Sequence, residues 1–186
     1  MNKEISRRDF VKGSIAAGVT IATGSLISGC SDYKSKGLPT TILGKTGVEI
    51  PRIAIGLGSR WCSIDNEDKA LDMLSYALDN GLYYWDTAYK YENKKNGAIS
   101  EERIGKLLKD RRKEVFISTK VSSRNPDEAR KQIEESMKRL QIDQLDMLKI
   151  HSIEGGEKLE ELKGKGNLID VVRQAKEEGL TRFIGF

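Results

Sequence analysis

Cysteine, histidine and proline are all scarce in this chain of 186 residues, with two, one and three copies respectively. Two cysteines, Cys30 and Cys62, are too few for a disulfide scaffold and stand at no metal-ligand spacing. With His151 as the single histidine, a zinc site built from His and Cys has almost nothing to draw on, and no metal is expected. Charge is abundant but nearly balanced, at +4 overall, and no dense basic run is interleaved with aromatics. A nucleic-acid partner is therefore not expected. The cluster KDRRKE (Lys109 to Glu114) closes a predicted helix and reads as a solvated helix end, its cations suiting the negative pole of the dipole. A run of about 20 strongly apolar residues, as a membrane-spanning helix wants, is also missing. What remains is enough chain for one domain with a real core.

The first thirty residues read as an address. SRRDFVK (Ser6 to Lys12) resembles a twin-arginine export signal, with Arg7 and Arg8 paired and Phe10 and Lys12 following. The mildly apolar run behind it, GSIAAGVTIATGSLISGC, fits the apolar region of a signal peptide. It ends in LISGC (Leu26 to Cys30), which resembles a lipoprotein processing box. Residues 1–30 are thus expected to be a twin-arginine, lipoprotein-type signal, with Cys30 lipidated and the protein exported to the periplasmic side and anchored to a membrane. The alternative is an uncleaved anchor with an incidental cysteine. Residues 31–39, SDYKSKGLP, read as a polar linker. Export of this type is associated with cargo already folded around a cofactor.

From Thr40 the pattern becomes regular. TTILGKTGVEIPRI alternates about a Gly-Lys-Thr-Gly turn and predicts a hairpin. Strands follow at AIGLG, LYYWDTA, VFISTKV, LDMLKIH and TRFIGF. Between them lie helices. The first is capped at Asp65 and stopped by Gly81, the second capped at Ser100 with Glu101 and Glu102 in its first turn. The third opens on Asn125 and Pro126, and the fourth runs from Asn167 to Gly179. Strand ends fall near Gly58, Asp86, Lys120, His151 and Phe186, in steps of roughly 28 to 35 residues, close to one βαβ unit each. That rhythm means an α/β fold with a parallel sheet, and both a doubly wound sheet and a (β/α)8 barrel satisfy it. The first strand leads into GLGSRW, which has G-x-G but lacks the third glycine of a dinucleotide fingerprint, so the barrel is favoured.

In parallel α/β folds the chemistry sits at the carboxyl ends of the strands. Asp86, Lys120 and His151 stand at three successive ends, with tyrosines just beyond Asp86. Singly, Asp86 could cap a loop, Lys120 could reach solvent, and His151 could be a satisfied half-buried histidine. Together they suit carbonyl reduction. A cation beside a tyrosine lowers the pKa of a poor proton donor. An aspartate fixes the lysine, and a neutral histidine holds the substrate oxygen. The set offers no nucleophile, so hydride has to come from a cofactor.

The motifs GKTGVEIPRIAIGLG, YYWDTAYKY, SEERIGKLLK, VFISTKV, LDMLKIH and KEEGLTRFIGF together resemble the aldo-keto reductase family over residues 41–186. The resemblance implies a TIM barrel and NAD(P)H-dependent reduction of an aldehyde or ketone, usually with NADPH, NADH being the alternative. It implies a tetrad of Asp86, Tyr91, Lys120 and His151. Tyr91, five residues after the aspartate, is the proton donor rather than Tyr89. It also implies that Gly58 and Ser59 lie near the nicotinamide, with Asp86 beside them.

Two departures from the family pattern are local and one is larger. The loop after Tyr91 is longer and more polar than usual, and Arg60 and Trp61 stand where an aromatic usually follows the first strand. About five of the eight barrel strands are in the sequence, so residues 40–186 are expected to be the amino-terminal part of a longer reductase, inactive alone. The alternatives are a non-catalytic nicotinamide-binding member of the fold and an inactive fragment.

Overall fold

The computed structural model describes residues 32–153, 162–163 and 166–186. The paired arginines, Cys30 and most of the Gly- and Lys-rich loop before Asn167 lie outside the described residues.

Alternating residues around a Gly44 and Gly47 turn, both at positive φ, form an antiparallel hairpin of β1 (Thr40–Ile42) and β2 (Glu49–Pro51). Five parallel strands then form one sheet: β3 (Ile55–Gly56), β4 (Tyr84–Asp86), β7 (Phe116–Val121), β8 (Leu145–Ile150) and β9 (Thr181–Gly185). Their order in space is their order in the chain. A doubly wound sheet reverses its strand order at a switch point. Here every new strand adds to the same edge, the winding of a barrel wall, and this decides between the two architectures left open above.

β7 and β8 are buried along their whole length except for one half-buried residue each, Lys120 and Lys149. Burial of this extent marks a strand covered on both faces, and here it takes in the polar Ser118, Thr119 and Asp146 as well. The covering helices are α2 (Glu67–Asp79), α3 (Ser100–Arg111), α4 (Pro126–Leu140) and α5 (Leu168–Glu177), while α1 (Ser59–Cys62) is a single turn after β3. The α3–α4 crossing is close. A Cβ on Gly105 would lie 2.2 Å from the Arg139 carbonyl oxygen. Only glycine permits that approach.

The caps differ in two places from expectation. α2 is capped by Asn66, whose side chain accepts from Lys69 N, and not by Asp65. Ser100 does not cap α3. Its hydroxyl donates 2.6 Å to Leu57 O and lies 2.7 Å from Thr87 Oγ1, stitching β3 to the stretch beyond β4. Glu101 likewise leaves solvent. Its carboxylate is buried and accepts from Thr119 Oγ1 at 2.5 Å. At α4 the expected Asn125–Pro126 start is present, with Asn125 Oδ1 accepting from Glu128 N.

KDRRKE does more than cap a solvated end, because Arg112 bridges to buried Asp146 at 2.9 Å and Arg111 to Asp79 and Glu114. Asp146 also accepts from Arg182, from Tyr33 and from Ile117 N. The Tyr33 ring, in the segment expected as a polar linker, stacks on Tyr83 at 5.1 Å beneath the amino-terminal ends of the strands.

Candidate active site

The carboxyl ends of the strands bring the expected residues together. Asp86 closes β4, Lys120 is the penultimate residue of β7, and His151 follows β8 directly. Tyr91 sits in the loop after β4, fastened by hydrogen bonds from Thr87 N to Ser118 O, Tyr89 N to Lys120 O and Ser100 N to Tyr91 O. Beyond it β5 (Glu92–Asn93) and β6 (Ala98–Ile99) form a small antiparallel hairpin. Asn96 Nδ2 ties that hairpin to Cys62 O and Asp65 across the first strand-to-helix loop, both at 3.0 Å.

Lys120 Nζ donates to Asp86 Oδ2 at 2.5 Å and to Thr87 O at 2.6 Å, and lies 5.0 Å from the centre of the Tyr91 ring. The Tyr91 and His151 rings meet edge to face, with centroids 5.7 Å apart. Gly58 abuts Tyr91, since a Cβ there would sit 3.6 Å from the phenol ring. Ser59, the next residue, is exposed. His151 Nδ1 is 2.5 Å from Ser152 Oγ, whereas Nε2 is buried and has no hydrogen-bond partner among the described residues.

One participant was not anticipated. Lys149 Nζ donates to the other Asp86 oxygen, Oδ1, at 2.8 Å and to the Tyr84 hydroxyl at 3.3 Å. Strand period supplies a signal for it, because residue 149 lies two before His151 and so shares its face.

The electrostatics follow from this packing. Burial alone would raise the Asp86 carboxyl, but Lys149 and Lys120 together hold it below the ordinary carboxylate range. Burial lowers the Lys120 ammonium, and neighbouring Lys149 adds to the effect despite the bond to Asp86. Lys149 moves the other way, because Asp86 and Tyr84 outweigh its burial. Burial, then Lys90, Lys120 and Arg124, push the His151 imidazole down, so it is neutral at pH 7. Tyr91 departs from expectation. Its phenol lies above the ordinary value, because burial and the Asp86 carboxylate outweigh the pull of Lys149. Lys120 lies over the face of the ring and gives two of its three hydrogens to Asp86 and Thr87.

No group of three or more His, Cys, Asp and Glu side chains able to hold a metal ion occurs among the described residues. No helix among them is long and apolar enough to cross a membrane.

Residues 54–186 match the model of the aldo/keto reductase family. The chain belongs to that family. An L-galactose dehydrogenase from Arabidopsis thaliana is 33% identical over 155 residues, 77% of this chain and 46% of that protein. A thermostable aldo-keto reductase solved with the inhibitor epalrestat superposes with a TM-score of 0.66 at 29% identity, over 80% of this chain and 53% of its own. An aldo-keto reductase from Klebsiella pneumoniae in complex with NADPH gives 0.60 at 25% identity, over 75% and 46%. The chain thus spans about half the length of the curated relatives it matches. Its five-stranded parallel sheet, with helices outside, is part of the family's α/β TIM barrel.

Proposed function

We propose that this aldo/keto reductase reduces the carbonyl of an aldehyde or ketone to an alcohol with hydride from NADPH, Tyr91 serving as the general acid. The observation that carries the reading is the meeting of three groups in one corner. The Tyr91 phenol lies over the Asp86–Lys120 pair, and the buried Nε2 of His151, without a hydrogen-bond partner among the described residues, lies alongside.

The donor set fits a nicotinamide. It has a proton donor and a hydrogen-bonding imidazole, and no side chain in it can supply two electrons. A reduced nicotinamide bound beside Gly58, Ser59 and Asp86 would supply the hydride. The solved relatives holding NADPH or NADP support this cofactor. With the Ser152 hydroxyl donating to Nδ1, neutral His151 carries its hydrogen on Nε2, where it orients the carbonyl oxygen. As that oxygen gains charge, Tyr91 gives it a proton. A raised phenol can still do so, because a forming alkoxide is a far stronger base than phenolate. The Lys120 ammonium, held in place by Asp86, then faces the charge left on Tyr91.

The relatives' names range from L-galactose dehydrogenase to methylglyoxal reductase, so the proposal stops at a small carbonyl compound. Location is proposed from Arg7, Arg8 and Cys30 alone: exported through the twin-arginine machinery and lipid-anchored on the periplasmic side. Replacing both arginines by lysine should retain the protein in the cytoplasm, and undiminished export would refute this.

The test of function is NADPH consumption by the full-length protein with a panel of aldehydes. Tyr91→Phe should lower kcat by about 10²-fold or more while leaving NADPH affinity unchanged. Unchanged turnover removes Tyr91 as the acid. NADPH binding with no turnover in either protein favours a non-catalytic, cofactor-binding role.

A further inference from the structure

Lys120 and Lys149 are register partners on neighbouring strands β7 and β8. Both side chains are largely buried, at 14% and 17% exposure, and both end on Asp86. Each ammonium takes a different carboxylate oxygen, Lys120 at Oδ2 and Lys149 at Oδ1. Lys149 is braced further by the Tyr84 hydroxyl, and its Nζ lies 5.7 Å from the centre of the Tyr84 ring. Setting a second cation beside the first in a strand otherwise fully buried costs desolvation and repulsion, and an apolar residue avoids both. Its placement therefore calls for a consequence at the site.

Two follow from the geometry. With each oxygen held by a separate ammonium group, rotation of the carboxylate would break both bonds, and Lys120 keeps its place against the Tyr91 ring. The trio also carries one net positive charge, whereas Asp86 and Lys120 alone carry none. Resting on the proposed carbonyl reduction, we infer that Lys149 is a positioning residue: it clamps Asp86 against Lys120 and supplies the net positive charge that stabilises the Tyr91 phenolate formed on proton transfer.

Several groups face the trio: Tyr84 from β4, Tyr91 and His151 from the loops, and Glu101 from α3 behind Lys120. Tyr91 is the informative one. Asp86 pushes its phenol up and Lys149 pulls it down. Loss of Lys149 should therefore raise both the Tyr91 phenol and the Asp86 carboxyl.

The experiment compares Lys149→Met, Lys149→Gln and Lys149→Arg in the full-length protein, each checked for folding by near-UV circular dichroism. Carbon NMR titrations of the Asp86 carboxyl and the Tyr91 ring are read beside the pH profile of kcat/KM. In the folded neutral variants both titrations should move to higher pH. The alkaline limb of the profile should move with them, and kcat should fall on the order of 10²-fold with KM little changed. Lys149→Arg should restore most of the rate. A uniform loss of rate with unmoved titrations would overturn the inference and leave Lys149 as barrel filling. Should both neutral variants fail to fold, Lys149→Arg decides: near wild-type titrations and rate sustain the inference, whereas displaced Asp86 and Tyr91 titrations with an unchanged rate would overturn it. Should the wild type show no turnover, the carbonyl-reductase reading fails, while the two titrations still decide the clamp.

Discussion

Gly105→Ala places one methyl group where α3 crosses α4. The new Cβ would meet Arg139 O at 2.2 Å, Leu140 C at 3.0 Å and Arg139 C at 3.2 Å. All three are backbone atoms, so no side chain can turn away. Relief requires the helices to part by more than an ångström. Overpacking of this kind costs about 1–3 kcal/mol, and contact with backbone belongs at the upper end. Alanine returns about 1 kcal/mol of helix propensity. The expected net loss is about 2 kcal/mol, which lowers the urea midpoint by about 1 M. Gly56→Ala is the control, since nothing lies within 4 Å of its added Cβ, and it should shift stability by no more than about 0.5 kcal/mol. The displacement also reaches the site. Glu101 on α3 holds Thr119, next to Lys120, and Arg139 on α4 donates to Tyr89 O at 3.1 Å in the Tyr91 loop. A Gly105→Ala variant with a midpoint at or above that of the wild type would refute the close crossing.

Asp146→Ala removes the carboxylate shared by Arg112, Arg182, Tyr33 and Ile117 N. Breaking a buried pair costs about 3–5 kcal/mol, but the arginines stay 28% and 33% exposed. The loss should therefore be nearer 2 kcal/mol by urea titration, and no loss would mean the cluster is solvated. Glu101 gives a pH test. Burial holds its carboxyl above the ordinary value, so the folded state takes up a proton at a higher pH than the unfolded state does. Its charge costs stability at neutral pH, and that cost fades as the pH falls through the folded pKa. The stability of Glu101→Gln relative to wild type should accordingly decline from neutral toward acid pH. A difference independent of pH would contradict a buried, charged Glu101.

Elements set by period or by local punctuation were legible in the sequence. The strand ends at Asp86, Lys120 and His151, the Asn125–Pro126 cap and the Gly44–Gly47 hairpin all depend on neighbours in the chain. What depended on distant partners was not. Ser100 has the chemistry of a cap, but Leu57 O lies close by in space and claims its hydroxyl. Asp65 and Asn66 can each cap a helix, and only the backbone path selects Asn66. Lys149 reads as a lone charge in LDMLKIH until register sets it beside Lys120 on Asp86. The raised Tyr91 phenol had the same origin, since burial and the carboxylate have no signature in spacing. The barrel itself rested on strand order, which the βα rhythm leaves open.

Hydride delivery to a carbonyl carbon at this corner is most directly measured with NADPH deuterated at C4, one of its two hydrogens at a time. The full-length protein and an aldehyde it consumes are incubated with each form, and the alcohol is analysed by mass spectrometry. One form should yield alcohol carrying a single deuterium at the carbinol carbon, and the other should yield none, with Tyr91→Phe slowing the labelled product. Alcohol without deuterium from both forms, or label arriving at an undiminished rate in Tyr91→Phe, would contradict the assignment of this site.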